Sequence, residues 1–489
     1  MSAPDVTSQR ALDRGLVRGV AWMGITKAAT QFFSWAAMLL VARLLDRSDY
    51  GIVAASATAI GLVGLVTELG LGTAVVARTE LTDDQLSQLA GVGFIGGAVA
   101  WIVAFGLSFV LPGVLRVPEL ARILPVSGFV VALAAISTVP MATLRRRMDF
   151  KAVSRIELAR AFVASAAMLS LAYAWRSYWA MIVSEVTAAV VMVALALRSF
   201  GLRVRMPRWH DIGPSLRFSR DVLVGRVAWY VYSNADFAVV ARKLGDKALG
   251  DYSMAWTLVT LPNEKIATLV FGVTPSVFAR VRDDLPEFRR YVLLLIEALG
   301  TLLFPACIGM ALVAPELVRV ALGTQWAASV PLVQALSLFA MVRAISPISS
   351  QVLVSRGRAR AALVFSVAGA LILPAAFWIA TRWGTTGVAL VWPVVFPILA
   401  WIQFRTAAKE IELAPLGAFR VLWPSFLGTM LMSAAVLGAR SALIRYEAPT
   451  LVTLLASVAV GAVVYAAVMS VVARPRVAQI WRMVRHRQL

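Results

Sequence analysis

The stretch Ser87–Leu111, SQLAGVGFIGGAVAWIVAFGLSFVL, runs for 25 residues without a charge. As an α-helix it would be about 37 Å long at 1.5 Å per residue, enough to cross a hydrocarbon core of about 30 Å. Working outward from it, similar apolar runs recur near 20–42, 51–74, 122–143, 157–175, 178–198, 220–243, 249–279, 290–314, 327–353, 360–381, 384–404, 418–438 and 448–473. With 87–111 they predict fourteen spanning helices. The first run has the length of a span and no small-residue cleavage site, so it is expected to stay as a span.

Composition agrees. Of 489 residues 60% are hydrophobic and 15% charged, where a soluble domain is about half apolar and about a quarter charged. This excludes a soluble enzyme, a disordered chain and a disulfide scaffold. The single cysteine, Cys307, lies in an apolar run, and the only histidines, His210 and His486, lie in basic segments. No multi-cysteine or histidine metal centre is expected, and no catalytic set, cofactor or G-x-x-x-x-G-K-[ST] ATPase motif is found. No expected loop is long enough to hold a catalytic domain, so a transporter is the default.

The net charge of +21 distributes unevenly. The termini and the loops after even-numbered runs hold 31 of the 47 Lys/Arg, and the opposite loops hold 12. By the positive-inside rule both termini are expected in the cytoplasm, anchored by runs such as Arg145–Arg147 and Arg203–Arg208. The charge is then a membrane-facing feature beside anionic headgroups, and nucleic acid is not an expected partner. With basic residues at the very ends of runs counted with the adjoining loop, four cations remain inside runs: Lys27, Arg226, Lys265 and Arg343.

An internal repeat is visible. Val41-Ala42-Arg43 recurs as Val240-Ala241-Arg242, Asp49-Tyr50 as Asp251-Tyr252, and Ala135-Ile136-Ser137 as Ala344-Ile345-Ser346; Arg147 then meets Arg356. The shift is six runs, an even number, so the copies have the same orientation. The expected fold is all-α and polytopic, with two six-helix lobes in a parallel repeat around a central cationic cavity. The lobes would be 1–219 and 220–412, with 413–489 adding two helices and a basic cytoplasmic tail.

The repeat aligns Lys27 with Arg226, each about 10 Å in from the cytoplasmic end of its run at 1.5 Å per residue. Lys27, Gln31 and Ser34 share a helix face by spacing, as do Arg226, Tyr230 and Ser233. Intramembrane cations are costly and persist where they meet water or an anion. The alternative for Lys27 and Arg226 is snorkelling to the headgroups. Arg343 lies too deep for that. Lys265 follows Pro262 and Glu264, which suits either a hydrated kink or a break in the run. These cations with Gln31, Ser34, Tyr230 and Ser233 are the expected substrate contacts. Glu68, Asp236, Glu264 and Glu297 are the acids singled out for ion coupling; Asp236 could instead pair with Arg242 or Lys243. Glu185 is a further acid within a run. The Met and Trp residues read as packing and interfacial belts.

Several motifs resemble one family. Ala42-Arg43-Leu44-Leu45 through Asp49-Tyr50-Gly51, then Thr67-Glu68-Leu69-Gly70-Leu71-Gly72, are similar to the start of bacterial polysaccharide flippases of the Wzx/WzxC-like branch of the multidrug/oligosaccharidyl-lipid/polysaccharide (MOP) superfamily. Asn234-Ala235-Asp236, Leu249 to Ala255, Phe304-Pro305, Ala314 to Leu317, Gly323 to Trp326 and Leu353 to Arg358 fit the same family. The resemblance covers roughly 15–410. It implies two six-helix lobes with a cationic lumen, and movement of undecaprenyl-pyrophosphate-linked oligosaccharide from the cytoplasmic to the periplasmic leaflet of the inner membrane. It implies membrane lipids as partners, and a polysaccharide polymerase and chain-length protein nearby. Arginine suits a pyrophosphate because it binds through two hydrogen bonds at once. Coupling to protons or sodium is implied by the resemblance alone. The rival readings are a peptidoglycan-precursor flippase, a drug exporter of the same superfamily, a membrane glycan polymerase or ligase, and a non-catalytic assembly protein.

Overall fold

The computed structural model describes residues 30–68, 72, 75, 81–201, 203–271, 274, 278 and 280–472, with side chains outside 66–68, 209–226, 261–271 and 415. Among these residues there is no strand. The helices are α1 (Thr30–Val41), α2 (Arg47–Glu68), α3 (Asp83–Leu115), α4 (Leu120–Arg146), α5 (Phe150–Trp175), α6 (Trp179–Phe200), α7 (Trp209–Leu244) and α8 (Asp246–Phe271). There follow α9 (Leu285–Leu312), a short α10 (Ala314–Ala321), a 3-10 turn (Thr324–Ser329), α11 (Val330–Ser355), α12 (Ala359–Ala380), α13 (Gly384–Glu410), α14 (Pro415–Arg445) and α15 (Thr450–Val472). Each of the fourteen expected runs overlaps one of these helices, the first only through the short α1, and α10 is extra. Among the described residues ten segments are long and apolar enough to cross a membrane, one of them running through both α12 and α13. The chain is a multi-pass helical membrane protein.

Helix ends follow local chemistry. Thr82 and Gln85 form a reciprocal capping box at the start of α3, with bonds of 3.2 and 3.0 Å. Asp149 caps α5 and Asp284 caps α9 through backbone N–H groups at 3.0 Å. Prolines inside α4, α9, α11, α12, α13 and α14 are tolerated, as is usual for spanning helices. The backbone of α8 stays helical across Pro262, Glu264 and Lys265, so the break allowed there is not what forms.

The chain divides into two compact units, Met1–Gly250 and Asp251–Leu489. In the first, α3 and α4 pack closely through small residues. A Cβ on Gly97 would lie 2.7 Å from the Ala132 carbonyl oxygen, so only glycine permits that approach. The expected basic anchors are partly tied down by protein. Arg146 donates to the Leu81 carbonyl at 3.0 Å, Arg147 lies 3.8 Å from Asp83, and Arg205 pairs with Asp84. The backbone N–H of Arg208 donates to Gln88 at 2.9 Å.

In the second unit an aromatic core joins α8, α11, α12 and α13. Tyr252, Phe377 and Trp392 are fully buried. The Trp392 Nε1–H donates to Tyr252 Oη at 3.0 Å, and Phe339 lies 4.4 Å from Trp392 between ring centroids. Glu316 on α10, which is buried, accepts from the half-buried Arg440 on α14 at 2.8 Å.

Candidate functional site

The second unit holds the expected cation whose surroundings are described. Arg343 lies in the interior of α11, thirteen residues and about 20 Å along the helix axis, and is half-buried. Its guanidinium sits 5.0 Å above the Trp256 ring of α8 and 5.9 Å from the Phe339 ring one turn earlier. Trp256 is held in turn by Trp392 at 5.5 Å and Tyr252 at 6.4 Å. A cation over an indole face gains about 0.5–2 kcal/mol, the larger value where water is excluded. The aromatic seat holds the guanidinium in place within the span. Such a group can present paired donors to an oxyanion.

Beside it the unit carries an apolar cavity of about 360 Å³ between α9, α11, α13 and α14. Phe304, Trp401, Phe404, Phe419 and Leu422 line it, with Ser346 and Ser349 as polar groups on its α11 wall. Met341, Val342, Ile345 and Ser349 turn toward the cavity, while Phe339 and Arg343 belong to the aromatic seat. One helix thus carries an apolar face and a cationic face side by side.

In the first unit the expected contacts are spread over α1 and α7. Gln31 and Ser34 are half-buried on α1, among exposed Phe32, Phe33 and Trp35. Tyr230 is half-buried on α7, and its hydroxyl donates to the Thr58 carbonyl of α2 at 2.8 Å. Ser233 is half-buried one turn on. Asp236 is fully buried and accepts from the Phe237 N–H at 3.0 Å. Arg242, one of the two partners considered for it, donates instead to the Val114 carbonyl. Glu297 is half-buried on α9 of the second unit. Lys27 lies outside the described residues. Glu68, Arg226, Glu264 and Lys265 lie on helices whose side chains there are outside the description.

Two features escaped the sequence reading. Trp256 is a seat for Arg343 as well as a packing residue. Arg160, counted with the loop cations, lies in the interior of α5 and pairs with Glu185 of α6 at 2.9 Å.

Residues 40–331, more than half of the chain, match the family described as polysaccharide biosynthesis protein. The chain belongs to that family. Its relatives are distant but cover much of its length. The teichuronic acid biosynthesis protein TuaB of Bacillus subtilis (strain 168) is 24% identical over 94% of this chain and 95% of its own. The lipopolysaccharide biosynthesis protein WzxC of Escherichia coli (strain K12) is 22% identical over 72% of each. The succinoglycan biosynthesis transport protein ExoT of Rhizobium meliloti (strain 1021) is 24% identical over 72% of this chain and 71% of its own.

The family's chain here also shares a fold with solved transporters. The lipid II flippase MurJ, in an inward closed conformation, superposes with a TM-score of 0.74 at 13% identity, covering 93% of this chain and 99% of its own. An inward-facing multidrug resistance MATE transporter of the MOP superfamily gives 0.64, covering 78% and 94%. The fold is that of MOP-superfamily transporters, as the resemblance in the sequence implied.

Proposed function

We propose that this chain is a flippase that moves undecaprenyl-pyrophosphate-linked oligosaccharide from the cytoplasmic to the periplasmic leaflet of the inner membrane, with both termini cytoplasmic. The observation that carries the reading is membership of a polysaccharide biosynthesis family by a chain built of spanning helices. A polymer assembled on a lipid needs its precursor carried across, and a bundle of spanning helices can do that without covalent chemistry. The protein acts as a transporter rather than an enzyme, and needs no cofactor.

The residues suit the parts of such a cargo. Arg343 on its aromatic seat offers a fixed guanidinium to the pyrophosphate. Lys27 of the first copy and Arg226 of the second, aligned by the repeat, are further cations for the head group, with Gln31, Ser34, Tyr230, Ser233 and Lys265 as polar groups. The apolar cavity along α11 suits a stretch of the prenyl chain, which finds there an apolar surrounding like that of the bilayer core. The lobes 1–219 and 220–412 rock about the bound head group, with 413–489 as an appendage. Glu68, Asp236, Glu264 and Glu297 are the acids from which ion coupling would be drawn, and a polymerase and chain-length protein receive the product.

The test is a deletion strain restored with wild type, Arg343→Ala, Arg226→Ala or Lys27→Ala. Lipid-linked oligosaccharide is extracted and surface polysaccharide measured. Deletion is expected to leave lipid-linked units on the cytoplasmic face and abolish surface polymer, and Arg343→Ala to cut polymer about tenfold or more, as for loss of one charge-assisted contact. Units that reach the periplasm but stay unpolymerised would replace this reading with a polymerase or ligase. Accumulation of peptidoglycan precursor would replace it with the peptidoglycan flippase.

A further inference from the structure

Arg160 and Glu185 form an ion pair within the first unit, in the interior of two helices that are long and apolar enough to span. Neither lies within one turn of a helix end. Their side chains stay 44% and 52% exposed, so the pair is open to something.

The helical wheel says what it is open to. On α5 the exposed apolar stripe is Phe162, Ala166 and Tyr173, and on α6 it is Val190 and Ala194. At 100° per residue Arg160 points about 160° away from Phe162, and Glu185 about 140° away from Val190. Both charges project from the side opposite that stripe, whose Phe162 ring meets Phe33 of α1 at 6.1 Å between centroids. Their neighbours on that side are packed: Val153 and Ile156 join Met141, Leu144 and Ala196 in a buried cluster. The pair is thus exposed on the protein side of α5 and α6. An ion pair turned to hydrocarbon would keep its full desolvation cost. One turned to a polar opening holds water or a polar ligand.

The chemistry narrows the ligand. One contact of 2.9 Å joins Arg160 to Glu185 Oε2. A guanidinium has five N–H donors and a carboxylate about four acceptor sites, so one contact leaves donors and acceptors side by side. The two formal charges cancel, which makes the pair a weak attractor for phosphate. Adjacent hydroxyls of a sugar ring match it: one donates to the carboxylate while its neighbour accepts from the guanidinium, each a charge-assisted bond.

We infer that Arg160 and Glu185 form a glycan contact that helps this protein select the sugar part of its lipid-linked cargo. The inference rests on the flippase reading above. It separates two tasks: the cations named above hold the pyrophosphate, and this neutral pair reads the sugars.

Two probes test it on purified full-length protein in detergent. One is lipid-linked oligosaccharide extracted from the deletion strain, and the other is undecaprenyl pyrophosphate without sugar. The readout is the ratio of their affinities. Wild type is expected to prefer the glycosylated lipid. The paired variant Arg160→Met with Glu185→Leu replaces the pair by apolar side chains of similar length, a change that keeps helix packing in many proteins. It is expected to lose about tenfold or more of the ratio while binding the bare lipid within about twofold of wild type, as for loss of a charge-assisted bond. Where that variant does not fold, Glu185→Gln keeps the shape and removes the charge; the ratio should then fall about threefold or more. An unchanged ratio in the folded variant, or equal wild-type affinity for both lipids, overturns the glycan contact and leaves the flippase reading standing. Failure of the deletion strain to accumulate lipid-linked oligosaccharide, or of wild type to bind either probe, overturns the flippase reading itself.

Discussion

Asp49-Tyr50 and Asp251-Tyr252 are the same dipeptide in the two copies of the repeat, yet their surroundings differ. In the first unit Asp49 is a loop fastener: its carboxylate accepts from the N–H groups of Tyr178 at 3.0 Å and Asp46 at 3.1 Å. Tyr50 is half-buried, and its hydroxyl reaches the Met38 carbonyl at 3.4 Å. In the second unit Asp251 is buried and takes the Ser329 hydroxyl at 3.3 Å. Tyr252 is sealed in the aromatic core, accepting from Trp392. The repeat keeps the polar positions, while helix packing around each copy sets how much they contribute. Arg147 and Arg356 are more alike. Arg147 approaches Asp83 at the start of α3, and Arg356 donates at 2.8 Å to the Arg282 carbonyl just ahead of α9. Both fasten the C-terminal end of one helix to the segment entering another.

The contrast can be broken by mutation, with thermal unfolding in detergent as the readout. Tyr252→Ala should be the most damaging change, costing about 3–5 kcal/mol as a large core aromatic is lost. Tyr50→Ala should cost about 1–2 kcal/mol, since a partly exposed ring loses less burial. Equal shifts would mean that the two copies are packed alike.

Tyr252→Phe sharpens the point. It leaves the Trp392 indole N–H buried without its acceptor, at a cost of about 1–3 kcal/mol. Tyr50→Phe removes a bond at the long end of the range and should cost at most about 0.5 kcal/mol. The smallest effects belong to the pair that looks alike. Arg147→Ala and Arg356→Ala should each cost under about 1 kcal/mol, because both side chains are partly solvated. A clearly larger loss at either would show that its fastening is specific to that unit.

Much of the fold was legible because crossing a membrane imposes a length and an apolar composition that show in one dimension. The runs near 384–404 and 448–473 lie within four residues of α13 and α15 at their starts. Ends outside the apolar region were less visible. Helix α7 begins at Trp209 rather than near 220, and α5 at Phe150 rather than near 157. Both continue into polar sequence where no hydrophobic edge marks them. Arg343 was legible as a deep cation on position alone. Its seat was not, because Trp256 lies 87 positions earlier in the chain and read as packing. Arg160 was absorbed into the loop count because only its partner on α6 shows that it lies inside.

The sequence by itself determined the class: a multi-pass helical chain, its repeat and the cations that burden its spans. These follow from transfer of side chains between water and hydrocarbon, which depends on residue type and local order. Tertiary structure decided which charge meets which partner. It seated Arg343 on Trp256, paired Arg160 with Glu185, and committed the Tyr230 hydroxyl to Thr58. Those choices depend on how helices cross, and crossing brings together residues that no spacing along the chain relates.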